Sequence, residues 1–184
     1  MAAIHSERLD LIPLTPDFLR AAAAGDTAQA GQMIGASIHA DLTGSKDVFE
    51  LRRRQIEDDA RFQSWSLRAM VLRTGKTMIG HIGFHTLPGA DYLKPYSSTG
   101  VEFGFTVFEP FRRNGYAREA SLAMMNWAAQ THSIREFVLS IRPDNVASQR
   151  LAEQLGFVRV GSHIDDVDGL EEVLLLNQKQ ATRV

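Results

Sequence analysis

The 184-residue chain contains no cysteine. That excludes a disulfide framework, a thiolate nucleophile and cysteine-ligated zinc, and it agrees with a reducing, cytoplasmic setting. Long apolar runs are missing too. None approaches the roughly 18 residues that a membrane-crossing helix needs, and the opening MAAIHSERLD lacks the basic-then-apolar order of a signal peptide. Net charge is nearly absent, −2 from 20 Lys+Arg against 22 Asp+Glu. No broad field therefore draws in nucleic acid or an anionic membrane surface, and any anion site has to be local. No repeat with a period of about 20 to 50 residues is visible. What is present, 44% hydrophobic and 23% charged residues, is the composition of a globular chain able to bury a sizeable core. The length suits a single domain spanning 1–184.

Alternation over Arg8 to Leu14 predicts a first strand, with Leu9 and Leu11 on one side and Asp10 and Ile12 on the other. Thr15 followed by Pro16 reads as an N-cap and first helical position, opening a short helix that ends near Gly25. Residues 25–46 carry only a weak pattern. Val48 to Phe62 reads as an amphipathic helix; Trp65 to Leu72 and Met78 to Leu87 read as a hairpin turned by Thr74, Gly75 and Lys76. Pro88 to Thr99 is a loop of the length that is often functional. A strand follows at Val101 to Phe108, then a polar turn, a helix from Tyr116, a strand at Phe137 to Ile141, a helix at Val146 to Leu155 capped by Gly156, and strands at Val158 to Ile164 and Val173 to Leu176. Alternation of strand and helix in the second half implies an α+β, mixed α/β fold whose sheet is crossed by helices. Residues 177–184 form a polar tail.

The most informative stretch is Phe105-Thr106-Val107-Phe108-Glu109-Pro110-Phe111-Arg112-Arg113-Asn114-Gly115-Tyr116-Ala117. A strand feeds a basic turn that opens directly into a helix. The first amides of a helix lack partners within it, and the aligned peptide dipoles add partial positive charge, so such a start holds an anion, commonly a phosphate. Small residues at Gly115 and Ala117 leave room for phosphate oxygens, and Arg112 and Arg113 supply charge-assisted hydrogen bonds. The competing reading is a plain helix cap at Asn114. The bare pattern arises by chance about 0.2 times in a chain of ordinary composition and this length; the strand-to-helix context makes it more specific.

This segment resembles the acetyl-CoA motif of the GNAT superfamily of N-acetyltransferases, Arg/Gln-x-x-Gly-x-Gly/Ala after a strand. A second match follows in order: Asn145 to Phe157 is similar to the family's Asn-x-x-Ser helix ending in Leu-Gly-Phe. The start, Glu7-Arg8-Leu9 through Leu14-Thr15-Pro16, and Val101-Glu102-Phe103-Gly104-Phe105 resemble the ribosomal-protein alanine acetyltransferase branch, so the resemblance spans roughly residues 6–176. It implies a twisted mixed sheet of about 6–7 strands with helices on both faces and a splayed central strand pair. It also implies acetyl-CoA as co-substrate, no metal, an acceptor cleft shaped by residues 6–62 and an acetyl-CoA core at 100–157.

Carried over residue by residue, Phe105, Thr106 and Val107 would pair with the pantetheine arm. Arg112, Arg113, Asn114, Gly115, Tyr116 and Ala117 would hold the pyrophosphate with Arg118 at the rim, and Asn145 would contact the pantetheine or simply cap its helix. Many relatives carry a tyrosine where this chain has Ala152; that proton donor is closed, and Ser148 is the candidate in its place. Glu102 matches the branch's strand glutamate and is the candidate base, with partial burial expected to raise its pKa; otherwise it is a solvent-facing strand charge. The demand on a base depends on the acceptor. A lysine-like amine is only about 0.04% neutral at pH 7, a cost of about 4.6 kcal/mol, whereas an α-amine costs about 1.2 kcal/mol. His81 and His85, four apart on a predicted strand with no evident third ligand, do not form a metal site, and one of them is placed in the acceptor cleft; His132 and His163 have no constellation. Without cysteine, acetyl transfer from acetyl-CoA has to go directly to a primary amine, either a small molecule or a protein N-terminus. A non-catalytic acyl-CoA-binding module is the alternative. Homodimers are common among such proteins, and the sequence leaves the oligomeric state open.

Overall fold

The computed structural model describes residues 1–165, 167 and 169–178; from residue 179 on, the expected polar tail lies outside the described residues. These residues form two compact units, Met1–Phe84 with Phe105–Met124, and His85–Gly104 with the chain from Met125 onward. None of the described helices is long and apolar enough to cross a membrane.

The first unit begins with β1 (Ile4–His5) and β2 (Leu9–Pro13). The alternation in β2 is as predicted, with Leu9 and Leu11 fully buried. Thr15 Oγ1 accepts from Phe18 N at 3.2 Å and Pro16 opens α1 (Pro16–Ala23), whose Phe18 and Leu19 face the core. Residues 25–46, weakly patterned in sequence, fold into α2 (Thr27–Ile34), β3 (Ser37–Ile38) and a 3-10 turn (Ala40–Ser45). These short pieces are fixed by tertiary pairing, since β3 lies parallel to β5 at Thr77 and Met78. The predicted 48–62 helix is α3 (Lys46–Asp58) followed by a 3-10 turn (Ala60–Ser64). β4 (Arg68–Leu72) and β5 (Thr77–Phe84) make the hairpin; β5 stops at Phe84, three residues before the predicted Leu87. Strand order here is β1-β2-β4-β5-β6, with β3 beside β5.

Strand β6 (Val101–Val107) serves both units: its last three residues belong to the first, its first four to the second. In the second unit it is followed in the sheet by β7 (Glu136–Ile141), β9 (Gly169–Asn177) and β8 (Val158–Asp165). β6 and β7 are parallel, and their register holds only Val101↔Phe137 and Glu102↔Val138. Beyond Val138, β7 continues its ladder with β9 alone, so the strand pair parts after Glu102, the splay that the family resemblance implied. The helix α4 (Tyr116–His132) leads from one unit into the other, and α5 (Val146–Leu155) ends on Gly156 in a left-handed conformation, φ 88°. Loop 88–99 holds one 3-10 turn (Asp91–Leu93) and is pinned from within: Leu93 packs on Val138 and Val173, and Ser97 Oγ donates to Glu136 Oε2 at 2.5 Å.

Candidate functional site

In the first unit, β6 ends in a 3-10 turn (Glu109–Phe111), and residues 112–115 then enter α4. The turn is built by its own polar groups. Arg112 Nε donates to the carbonyl of Val107 at 2.9 Å, and Asn114 Nδ2 donates to the carbonyls of Phe111 and Arg112 at 3.2 and 2.9 Å. Arg113 and Gly115 are both left-handed, at φ 63° and 79°. Left-handed residues interleaved in this way turn successive amides toward one side, a concavity that suits an anion. Glycine at 115 thus has a conformational reason as well as the access reason read from the sequence; the nearest atom to a Cβ there would be Arg8 Nη2 at 3.5 Å. The backbone bond nearest the start of α4 runs from Glu119 N to Gly115 O, so the amides ahead of it point out of the helix end.

Arg8 is the residue that sequence reasoning did not assign here. Its backbone N and its Nε each donate to Glu119 at 2.7 Å, its Nη1 donates to Asn114 O at 3.0 Å, and its guanidinium lies 4.5 Å from the Tyr116 ring centroid. The Glu119 carboxylate raises the Arg8 pKa further, and Arg8 is fixed as a cation against Asn114, Gly115 and Tyr116 in the turn. The fragment Glu7-Arg8-Leu9 was visible in the sequence, but nothing local to it signalled contact with residues 106 to 111 positions away.

In the second unit Glu102 is 4% exposed, not a solvent-facing strand charge. Tyr92 OH donates to Glu102 Oε2 at 2.5 Å, and His85 Nδ1 lies 3.5 Å from the same oxygen. The backbones are tied as well, His85 N donating to Glu102 O at 2.9 Å. The expected upward shift of the Glu102 pKa is reversed. Burial pushes the carboxyl up, but the hydrogen bond and charge of His85, with hydrogen bonds from Ser140 and Tyr92, outweigh it and hold the pKa at about 2. A carboxylate held there is protonated about once in 10⁵ at pH 7, which makes it a weak proton acceptor and a good anchor for a cation. Tyr92 and Ser140 come from a loop and a neighbouring strand without any motif, and only the fold brings them to Glu102.

The description "Acetyltransferase (GNAT) domain" matches this chain over residues 8–158. The chain belongs to the GNAT acetyltransferase family. This acetyltransferase is 27% identical over 164 residues to the uncharacterized N-acetyltransferase YjdG of Bacillus subtilis (strain 168), covering 86% of this chain and 90% of that protein. Its fold is similar to that of a ribosomal-protein-S5-alanine acetyltransferase from Vibrio fischeri, with TM-score 0.66, 11% identity and 97% of each chain covered. It is similar also to a ribosomal L7/L12 alpha-N-protein acetyltransferase in complex with coenzyme A, with TM-score 0.60, 18% identity, and 95% and 96% of the two chains covered.

Other sequence-selected residues of the acetyltransferase take simpler places. Asn145 Oδ1 accepts from Ser148 N at 3.2 Å, so Asn145 caps α5. Ser148 is half-buried one turn into that helix, and Ala152 below it is fully buried. His81 is 4% exposed, with Nε2 2.8 Å from Ser45 Oγ and its ring against Phe49 and Phe108; burial, with the charge of Arg52, lowers its pKa to about 4. His81 and His85 therefore serve different partners. His163 does have a constellation: on the β8–β9 hairpin its ligand atom, and those of Asp165 and Glu171, lie within 4.8 Å of one another, because His163 and Glu171 are register partners and Asp165 follows two residues on. That spacing follows from strand pairing and has no counterpart in the linear sequence.

Proposed function

We propose that the chain transfers an acetyl group from acetyl-CoA to a primary amine, of a small molecule or a protein N-terminus, and that residues 1–184 act as one such domain; the family match at 8–158 runs through both units. The observation that carries the cofactor reading is the turn at 112–115. Its left-handed Arg113 and Gly115, its outward amides at the start of α4 and its three arginines fit a pyrophosphate. Arg112, Arg113, Asn114, Gly115, Tyr116 and Ala117 would hold that group, and Phe105, Thr106 and Val107 the pantetheine arm. Asn145, whose Oδ1 is committed to the cap, keeps Nδ2 as a donor.

Acetyl-CoA supplies an activated carbonyl, and the chain's residues supply position and proton transfer. The amine nitrogen bonds to the thioester carbon, the carbon–sulfur bond breaks, and the departing sulfur takes a proton, for which Ser148 is the candidate donor. Glu102 belongs to the proton-accepting apparatus on the amine side. The chain has no cysteine, so no acyl-cysteine intermediate forms within it.

The test is binding followed by turnover. Coenzyme A should raise the melting temperature of the wild type, and Arg112→Glu and Gly115→Trp should each abolish most of that rise. Unchanged coenzyme A affinity in both variants would sink the cofactor reading. A thiol-release assay over an amine panel that includes N-terminal alanine and serine peptides identifies the acceptor.

A further inference from the structure

The carboxylate expected to be the base is bound up by three donors, and the group beside it is an imidazole. His85 Nδ1 lies 3.5 Å from Glu102 Oε2, its side chain keeps 36% of its surface exposed, and its backbone N is bonded to Glu102 O. A carboxylate facing Nδ1 favours the tautomer with the proton on Nδ1, which leaves the lone pair of the neutral ring on Nε2. The ring's other edge is also placed. A Cβ built on Gly104 would come 2.6 Å from His85 Nε2, so the imidazole lies over the backbone of residue 104, where only glycine leaves it room. Gly104 directly precedes Phe105, the first residue of the segment proposed to pair with the pantetheine.

Resting on the acetyl-transfer reading above, we propose that His85 is the catalytic residue that accepts the amine proton, through Nε2, and that Glu102 is a positioning residue acting through Nδ1. The protonated amine gives one proton to His85 Nε2, and its freed lone pair attacks the thioester carbon. The carbon–nitrogen bond forms and the carbon–sulfur bond breaks; of the two protons left on nitrogen one is lost as the sulfur takes one up, and the other stays as the amide N–H. His85 then releases its proton to water. Within this unit the titratable groups at the site are Glu102 on β6 and Tyr92 in loop 88–99, which share one carboxylate oxygen with the imidazole. Tyr92 thereby helps fix the carboxylate that fixes the ring.

The experiment measures kcat and KM by thiol release for wild type, His85→Gln, Glu102→Gln and Gly104→Ala, with coenzyme A affinity measured in parallel. His85→Gln should lose roughly 10²- to 10³-fold in kcat/KM, with coenzyme A affinity unchanged. Glu102→Gln, which removes the anion facing Nδ1, and Gly104→Ala, which displaces the ring, should each lower kcat while leaving KM for the amine little changed. A His85→Gln enzyme that keeps wild-type turnover overturns the role of His85 while leaving acetyl transfer intact. A wild type that turns over no amine overturns the acetyl-transfer reading and this proposal with it. Nitrogen-15 NMR of the imidazole needs no variant: the neutral His85 ring should carry its proton on Nδ1, and a ring protonated on Nε2 overturns the assignment.

Discussion

Arg8 and Glu119, 111 residues apart in sequence, form a two-point contact, the backbone N of Arg8 on one carboxylate oxygen and its Nε on the other, both at 2.7 Å. Because Arg8 Nη1 also holds the carbonyl of Asn114, the pair anchors the anion turn from outside. Arg8→Ala and Glu119→Gln should each weaken coenzyme A binding by about 5- to 10-fold, modest because an exposed pair contributes only about 1 kcal/mol. The double variant should be little worse than either single one, a non-additivity that a binding cycle by calorimetry would register. Additive losses would show that the two act separately.

His81 makes stability depend on pH in a window set by its burial. In the unfolded chain its pKa is about 6.5, and in the fold it lies at about 4. Between those values the unfolded state holds the extra proton, so stability should fall as pH drops from 6.5 toward 4, with a slope of at most about 1.4 kcal/mol per pH unit from this group. Denaturant unfolding at several pH values measures the slope, and His81→Gln should flatten it.

Leu93 decides whether the 88–99 loop holds Tyr92 in place. It is 1% exposed against Val138 and Val173, and Leu93→Ala should cost roughly 2 to 5 kcal/mol of stability. The same variant should reduce turnover measured well below its melting temperature, since the Tyr92 hydroxyl would lose its fixed approach to Glu102. A stability loss without any change in kcat would separate the loop from the chemistry.

Asn145 as a helix cap predicts a pattern across substitutions. Asn145→Ala should lower stability by about 1 kcal/mol, and Asn145→Asp, which keeps the accepting oxygen, should retain it. If Asn145 also donates from Nδ2 to the pantetheine, Asn145→Asp should still weaken coenzyme A binding. Thermal melts with and without coenzyme A read both effects.

Elements with a strong local signal were legible in the chain. The Thr15-Pro16 start, the alternating Leu9 and Leu11, the Asn145 and Gly156 ends of α5, and the strand–turn–helix at 105–117 each carry their conformational reason within a few residues. The short elements at 27–45 were not legible, because β3 exists only through its pairing with β5.

By itself, then, the sequence determined the family, the order of the main elements and the place of the anion turn, since periodicity, capping and left-handed positions are local properties of the backbone. Tertiary structure alone decided that Arg8 braces that turn and that Glu102 is held as an anion. The physical reason is that a carboxylate's pKa is set by what surrounds it. Burial pushed Glu102 up as expected, and three donors from a β5-flanking bend, a loop and a neighbouring strand, close only after folding, pulled it further down.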